Sequence, residues 1–219
     1  MPVDVTAVVV ANGVMRDHAG VRTLLAPPIT VYAADGGANW LDERGLRPNV
    51  LVGDMDSVRP ELLERLEREG RRIVRHPTDK DETDTELALR VAAEDGHAAL
   101  ALLGAMGDRI DHSLANVAVL AAPFLEEVTV CLYDGVARAW HVRRRHVVDG
   151  APGDVVSLLP LGERAEGVRT EGLAYALDGG TLEPASPRGI SNVMTAERAL
   201  VTLERGRVYV FHVPASHLR

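Results

Sequence analysis

The chain has 219 residues, 46% of them hydrophobic, with 20 glycines, 12 prolines and a formal net charge of −8. Such a chain buries a real core, as one large domain or two modest ones, and is neither disordered nor fibrous. Its negative balance argues against a nucleic-acid footprint, but an anionic nucleotide stays accessible where one Arg or Lys and a metal reverse the local field. Cys131 is the single cysteine. It rules out a disulfide within the chain and reads as a buried thiol in a cytoplasmic protein. Neither a secretion leader nor a membrane span is expected, since no run approaches ~20 apolar residues.

Val5–Val10 is an apolar, β-branched run that predicts a strand ended by Asn12 and Gly13. Thr30–Ala34 predicts a second strand, closed by Asp35-Gly36-Gly37, with a helix over Ala38–Arg44 and a stop at Gly45. Val50–Val52 is a short strand, Pro60–Glu69 a charged helix, and Arg72–His76 the next strand. Thr83–Glu94 has a helical apolar set at Leu87, Leu89, Val91 and Ala92; Ala98–Leu103 is a strand, Leu114–Leu120 helical, and Val128–Tyr133 a strand. Strand, turn and helix in alternation predict an α/β domain of three layers around a mainly parallel sheet.

The pattern changes near Tyr133–Arg138. Helical periodicity fades, and short apolar runs follow at Ala139–Val142, Val155–Leu159, Val168–Thr170, Ala174–Leu177, Ala199–Leu203 and Val208–Val213, separated by Gly- or Pro-containing turns. These predict a C-terminal all-β sandwich or small barrel. The expected organisation is an α/β domain over residues 1–135 and a β domain over 136–219.

Acidic motifs recur where the strands of the first half end. Several carboxylates from different strand ends suit a hard cation and point to a magnesium-assisted reaction on a phosphorylated substrate. In ADGGAN, Asp35 precedes two glycines and a helix start, which fits either an anion site or a tight Asx turn. In VGDMDS, Asp54 and Asp56 are one residue apart and would share one side of an extended segment, where two like charges need a cation; the alternative is a solvated turn with Ser57 capping the next helix. TDKDETD crowds Asp79, Asp81 and Asp84 around Lys80. Thr83 or Asp81 can cap the helix, and Lys80 either neutralises acids or reaches a phosphate. In GDRIDH, Arg109 suits bidentate phosphate contact, Asp111 either orients it or binds metal through water, and His112 reads as a packed or locally hydrogen-bonded helix-start residue. Asn116 follows His112 at helical spacing. In the second half, Tyr175 lies in an expected strand, and Ser191 and Asn192 follow Gly189; stacking on a flat ring and reading a heterocycle compete with ordinary packing and turn formation. Trp40 and Trp140 read as core or interface residues.

Taken in order, DGG at Asp35–Gly37, GDMDS at Gly53–Ser57, DKDETD at Asp79–Asp84, GDRIDH at Gly107–His112, TEGLAY at Thr170–Tyr175 and SN at Ser191–Asn192 resemble the thiamine pyrophosphokinase family. The resemblance spans nearly the whole chain. It implies a nucleotide-binding α/β domain and a β-sandwich that binds thiamine and dimerises, in a homodimer with active sites between subunits. The implied reaction is transfer of pyrophosphate from ATP to the hydroxyl of thiamine, with Mg²⁺, giving AMP and thiamine diphosphate. By motif, Asp54, Asp56 and Asp84 would hold Mg²⁺, and Asp35 would stand beside the reacting hydroxymethyl group. Lys80, Asp81 and Arg109 would lie near the nucleotide phosphates, with Asp111 in support. Tyr175 stands where animal members carry a thiamine-stacking tryptophan, and Ser191 and Asn192 match the segment that meets the pyrimidine. The alternatives are a pyrophosphokinase acting on 6-hydroxymethyl-7,8-dihydropterin and a nucleotide-binding protein without catalysis.

Overall fold

Four consecutive apolar residues, Ala7–Val10, form β1, and all of them are fully buried. A strand buried on both faces belongs in the middle of a parallel sheet, and β1 sits there. The computed structural model describes residues 5–16 and 19–218 and divides into two units, Met1–Gly135 and Val136–Arg219. In the first unit, β1 is followed by α1 (Ala19–Leu24), β2 (Thr30–Ala34), α2 (Gly37–Asp42), β3 (Val50–Gly53), α3 (Pro60–Arg68), β4 (Arg72–Arg75), α4 (Asp84–Glu94), β5 (Ala99–Leu103), α5 (Ile110–Ala118) and β6 (Thr129–Tyr133). The strands run in the order β6-β5-β1-β2-β3-β4, every pair parallel. α4 packs over β1, β2 and β3, burying Leu87, Ala88, Leu89, Val91 and Ala92. Thr83 caps it, accepting from the Glu86 N–H at 3.2 Å, which resolves the choice between Thr83 and Asp81.

Two elements depart from expectation. α1 was not foreseen: it is 6 residues long and buries only Val21 and Leu24, too few to set a period. α5 begins at Ile110 rather than Leu114 because its first turns carry no inward apolar stripe; Ile110 is 73% and Leu114 63% exposed.

The second unit contains β7 (Arg138–Val142), β8 (Arg145–Asp149), β9 (Val155–Leu159), β10 (Ala165–Glu171), β11 (Gly180–Leu182), β12 (Asn192–Val193), β13 (Arg198–Thr202) and β14 (Val208–Val213). They form two antiparallel layers, β12-β9-β14-β7 and β11-β10-β13-β8. The rings of Trp140 on β7 and His146 on β8 meet at 4.6 Å between centroids, so the layers pack as a sandwich. Ala174–Leu177, expected as a strand, is not one; Leu173 makes only an isolated bridge to Met194. The strand is missing because Ala174, Tyr175 and Ala176 are exposed and cover no core. β8, β11 and β12 carry no strand signal in the sequence because they are polar or very short.

A buried polar chain crosses the second unit. His212, 1% exposed, accepts from the Arg138 guanidinium at Nδ1 (3.0 Å) and donates from Nε2 to Asp154 (2.8 Å). Asp154 also accepts from the Ala151 and Ala215 N–H groups, both at 2.9 Å. Every member is paired, which is what allows charge in a core. The pairing requires a neutral imidazole, and burial, aided by the Arg138 charge, pushes the His212 pKa down.

Candidate active site

In the first unit the chain winds outward from β1 through β2, β3 and β4, then returns to the other side of β1 as β5 and β6. The loops after β1 and β5 diverge at this reversal, and open α/β sheets bind ligands there, beyond the carboxyl ends of the strands. A cleft of about 800 Å³ lies there. It is lined by Asn12 and Gly13 after β1, Asp35 after β2, Asp54, Asp56 and Ser57 after β3, Lys80 and Asp84 before and on α4, and Gly104–Arg109 with His112 and Asn116 after β5.

Three carboxylates converge in it. Asp35, Asp54 and Asp84 each present an oxygen within 4.8 Å of the others. Gly53, the last residue of β3, makes this possible. Its φ is +144°, and a Cβ there would lie 3.0 Å from Asp35 Cβ and from Asp84 Oδ1. The loops carrying the acids also adopt backbone that side chains disfavour, with φ of 42° at Asp35 and 70° at Met55. The turn at Met55 corrects one expectation. The segment is not extended; Asp54 and Asp56 line the same cleft, but the close trio contains Asp35 and not Asp56. Asp56 is exposed and accepts from the Ser57 hydroxyl at 2.9 Å. Ser57 does not cap α3; its N–H donates to Asp35 Oδ2 at 3.2 Å.

Lys80 balances the trio in part, with Nζ 3.2 Å from Asp54 and 2.9 Å from Asp84. Burial opposes charge on Asp54, but the Asp56 N–H and the Lys80 ammonium outweigh it and hold the carboxyl below its ordinary value. Asp35 differs. It is 5% exposed, its Oδ1 has no hydrogen-bond partner, and burial together with the Asp84 and Asp56 charges raises its pKa. A buried carboxylate with an unpaired oxygen, grouped with two more carboxylates, fits a divalent cation, since hard cations take oxygen ligands.

Arg109 and Asp111 stand on the exposed rim, paired through Nε–Oδ1 at 2.9 Å and Nη2–Oδ2 at 2.6 Å. That pairing holds the Asp111 pKa well below the usual carboxylate range. His112 is exposed and lines the cleft rather than packing against the sheet. Asn116 ties the wall together by donating to the Ala105 carbonyl at 2.7 Å. Asp81 is exposed and does not line the cleft. Asn12 and Gly13 carried no signal beyond ending a strand; their place in the cleft follows from the strand order, which a local pattern does not contain.

In the second unit, Tyr175 is 73% exposed. Ser191 is exposed with φ of 60°. Asn192 is buried, and its amide holds the Tyr175 backbone from both sides: Oδ1 accepts from the Tyr175 N–H at 2.9 Å and Nδ2 donates to the Tyr175 carbonyl at 2.7 Å. Asn192 thus shapes the loop that displays Tyr175.

Comparison with known proteins agrees with this division. Residues 21–132 match the family model described as thiamin pyrophosphokinase, catalytic domain. Residues 141–208 match thiamin pyrophosphokinase, vitamin B1 binding domain. Thiamine pyrophosphokinase 3 of Oryza sativa is 28% identical over 209 residues, covering 84% of this chain and 78% of the relative. The thiamine pyrophosphokinase of Bacillus subtilis is 25% identical over 200 residues, covering 83% and 90%. The crystal structure of the Bacillus subtilis thiamine pyrophosphokinase shares this fold with a TM-score of 0.82 at 22% identity, over 95% of this chain and 98% of that one. The yeast thiamin pyrophosphokinase structure does so with a TM-score of 0.79 at 14% identity, over 98% and 88%. With the family's two domains matched in order over an α/β unit and a β-sandwich, the chain belongs to the thiamine pyrophosphokinase family.

Proposed function

We propose that this enzyme transfers pyrophosphate from ATP to the hydroxyl of thiamine, yielding AMP and thiamine diphosphate, and that the carboxylate trio is where a magnesium ion joins the nucleotide. The observation that carries the site assignment is the convergence of Asp35, Asp54 and Asp84, together with the buried Oδ1 of Asp35 that has no hydrogen-bond partner. A magnesium ion held there would neutralise charge on the transferred phosphates. The chain's own groups do the rest. Asp54 and Asp84 hold the cation side, and Lys80 between them offers an ammonium to a phosphate oxygen. Asp111 occupies the Nε edge of Arg109, which leaves the Nη1–Nη2 edge to meet an anion. Fixed donors at the strand ends align donor and acceptor. Asp56 belongs to the approach to the site, and Asp81 to its outer field.

Residues 1–135 form the ATP- and metal-binding domain in this reading, and 136–219 the domain for thiamine binding and dimerisation. The exposure of Tyr175 and Ser191 supports placing thiamine against that loop, with Asn192 holding it in shape. A homodimer with active sites between subunits would bring that surface to a partner's cleft, and a cytoplasmic location suits the ATP requirement and the buried Cys131 thiol. Thiamine is favoured over the hydroxymethylpterin acceptor because residues 141–208 match a vitamin B1 binding domain. No helix among the described residues is long and apolar enough to cross a membrane. The deciding assay incubates the protein with Mg·ATP and thiamine and separates the nucleotides. AMP formed only with thiamine is the expected result; ADP as sole product, turnover independent of thiamine, or a preference for the pterin refutes the assignment.

A further inference from the structure

Asn39 takes no part in the reading above, yet both ends of its amide are engaged. Its Nδ2 donates to the Ser57 carbonyl at 2.7 Å, and its Oδ1 accepts from the Arg59 N–H at 3.1 Å. Asn39 lies on α2, the helix that follows Asp35, while Ser57 and Arg59 belong to the turn between β3 and α3. The amide therefore joins the loop that bears Asp54 and Asp56 to the helix that follows Asp35. The next link is the Ser57 N–H, which donates to Asp35 Oδ2 at 3.2 Å. With Oδ2 taken, Oδ1 is the oxygen left for a cation, and it is the one without a partner. A carboxylate free to rotate about its Cβ–Cγ bond would present either oxygen. Held by the Ser57 amide, it presents one.

We propose that Asn39 is a positioning residue for the cation site, acting through the Ser57 backbone to set the orientation of the Asp35 carboxylate. The proposal rests on the reading that Asp35, Asp54 and Asp84 bind a divalent cation. Outer partners that orient metal ligands commonly govern affinity although they never touch the ion. A second asparagine separates this role from plain stabilisation. Asn49 accepts from the Val31 N–H at 2.8 Å and so braces β2 beside the start of β3, at the end of these strands away from the cleft. Asn49 ties β2 to the start of β3, and Asn39 ties α2 to the turn after β3; only Asn39 leads to a carboxylate of the trio.

The test is a Mn²⁺ titration followed by electron paramagnetic resonance, without nucleotide or thiamine, on the parent chain and on Asn39→Ala, Asn39→Asp, Asn49→Ala and Asp54→Asn, with thermal midpoints measured in parallel. Asp54→Asn should abolish the tight Mn²⁺ signal. Both Asn39 variants should weaken binding about tenfold or more, while Asn49→Ala changes the midpoint and leaves Mn²⁺ affinity within about twofold of the parent. Parent-like affinity in the Asn39 variants, alongside a signal that Asp54→Asn removes, overturns the positioning role and leaves the cation site standing. Equal loss in Asn39→Ala and Asn49→Ala also overturns it, since the effect is then general loosening. A Mn²⁺ signal unaffected by Asp54→Asn overturns the cation reading and the role of Asn39 with it. Should Asn39→Ala fail to fold, Asn39→Asp decides the matter: it keeps the acceptor for Arg59 and sets a carboxylate oxygen against the Ser57 carbonyl in place of the donor.

Discussion

Replacing Gly53 with alanine isolates the steric condition on which the carboxylate trio depends. The φ of +144° at this residue lies in territory that side chains rarely enter, and holding an L-residue there costs about 1–3 kcal/mol. A first unit of this size melts about 3–4 °C lower per kcal/mol, so the midpoint should fall by about 3–12 °C. The new methyl would also stand 3.0 Å from Asp35 Cβ and Asp84 Oδ1, forcing two of the three acids to give way. The Mg²⁺ concentration for half-maximal turnover should therefore rise about tenfold. Gly45→Ala is the control. Its φ is +70°, but nothing lies within 4 Å of the added Cβ, so it should lower the midpoint and leave the Mg²⁺ dependence alone. Circular dichroism melts and AMP formation across a Mg²⁺ series measure both quantities. If Gly53→Ala matches the parent in melting and in Mg²⁺ dependence, or if Gly45→Ala shifts that dependence equally, the close approach at Gly53 does not control the site.

Single Asn replacements at Asp35, Asp54 and Asp84 should each cut turnover on the order of 100-fold with the fold intact, and Asp56→Asn should cost less because Asp56 lies outside the trio; equal losses at all four positions in the AMP assay would extend the site to Asp56. The second unit should be acid-labile. Burial lowers the pKa of His212 and takes His141 and His146 down to about 4, so the unfolded state binds protons that the folded state refuses. Stability is full above the unfolded value near 6.5 and falls as pH drops toward 4, by up to about 1.4 kcal/mol per pH unit for each of His141 and His146, with His212 acting in the same direction. A denaturation midpoint that stays flat between pH 7 and pH 5 would contradict this, and His146→Gln should reduce the slope. Tyr175→Ala should raise the KM for thiamine without moving the melting temperature, because the ring is 73% exposed; an unchanged KM would remove Tyr175 from the substrate surface.

The α/β alternation was legible because most strands of the first unit are short apolar runs that end near a Gly or Asp, and the parallel sheet buries them; β4, with Arg72 and Arg75 exposed at its ends, is the exception. Most boundaries fall within two residues of the sequence expectation, as at Pro60–Arg68 and Thr129–Tyr133. α5 shows the limit of that logic: Ile110 and Leu114 are apolar but face solvent, so periodicity misplaces the helix start. In the second unit, Ala174–Leu177 has the composition of a strand but lines no core, and β8 is a strand of Arg145, His146 and two valines that composition passes over. The site was legible as a set of motifs and not as a geometry. Asp54 and Asp84 stand out in their motifs, but the closeness of Asp35 to them depends on the positive φ at Asp35 and Met55 and on the notch at Gly53. Asn12 and Gly13 enter the cleft only because β1 lies between β2 and β5, which is a long-range fact.

The central place of β1 has a consequence during synthesis. Its second partner, β5, pairs Ala7 with Leu100 and Val10 with Leu103, so one side of β1 waits through the 93 residues that separate Thr6 from its partner Ala99. At ribosomal rates of about 5–20 residues per second, the wait is about 5–20 s. Throughout it the nascent chain presents Ala-Val-Val-Val, an uncharged edge with free N–H and C=O groups along one side. α4, which packs over β1, β2 and β3, is completed only shortly before β5 emerges. The interval in which this protein is most exposed to misassembly is thus written into its strand order, and a chaperone that shields extended apolar segments would act on β1 first.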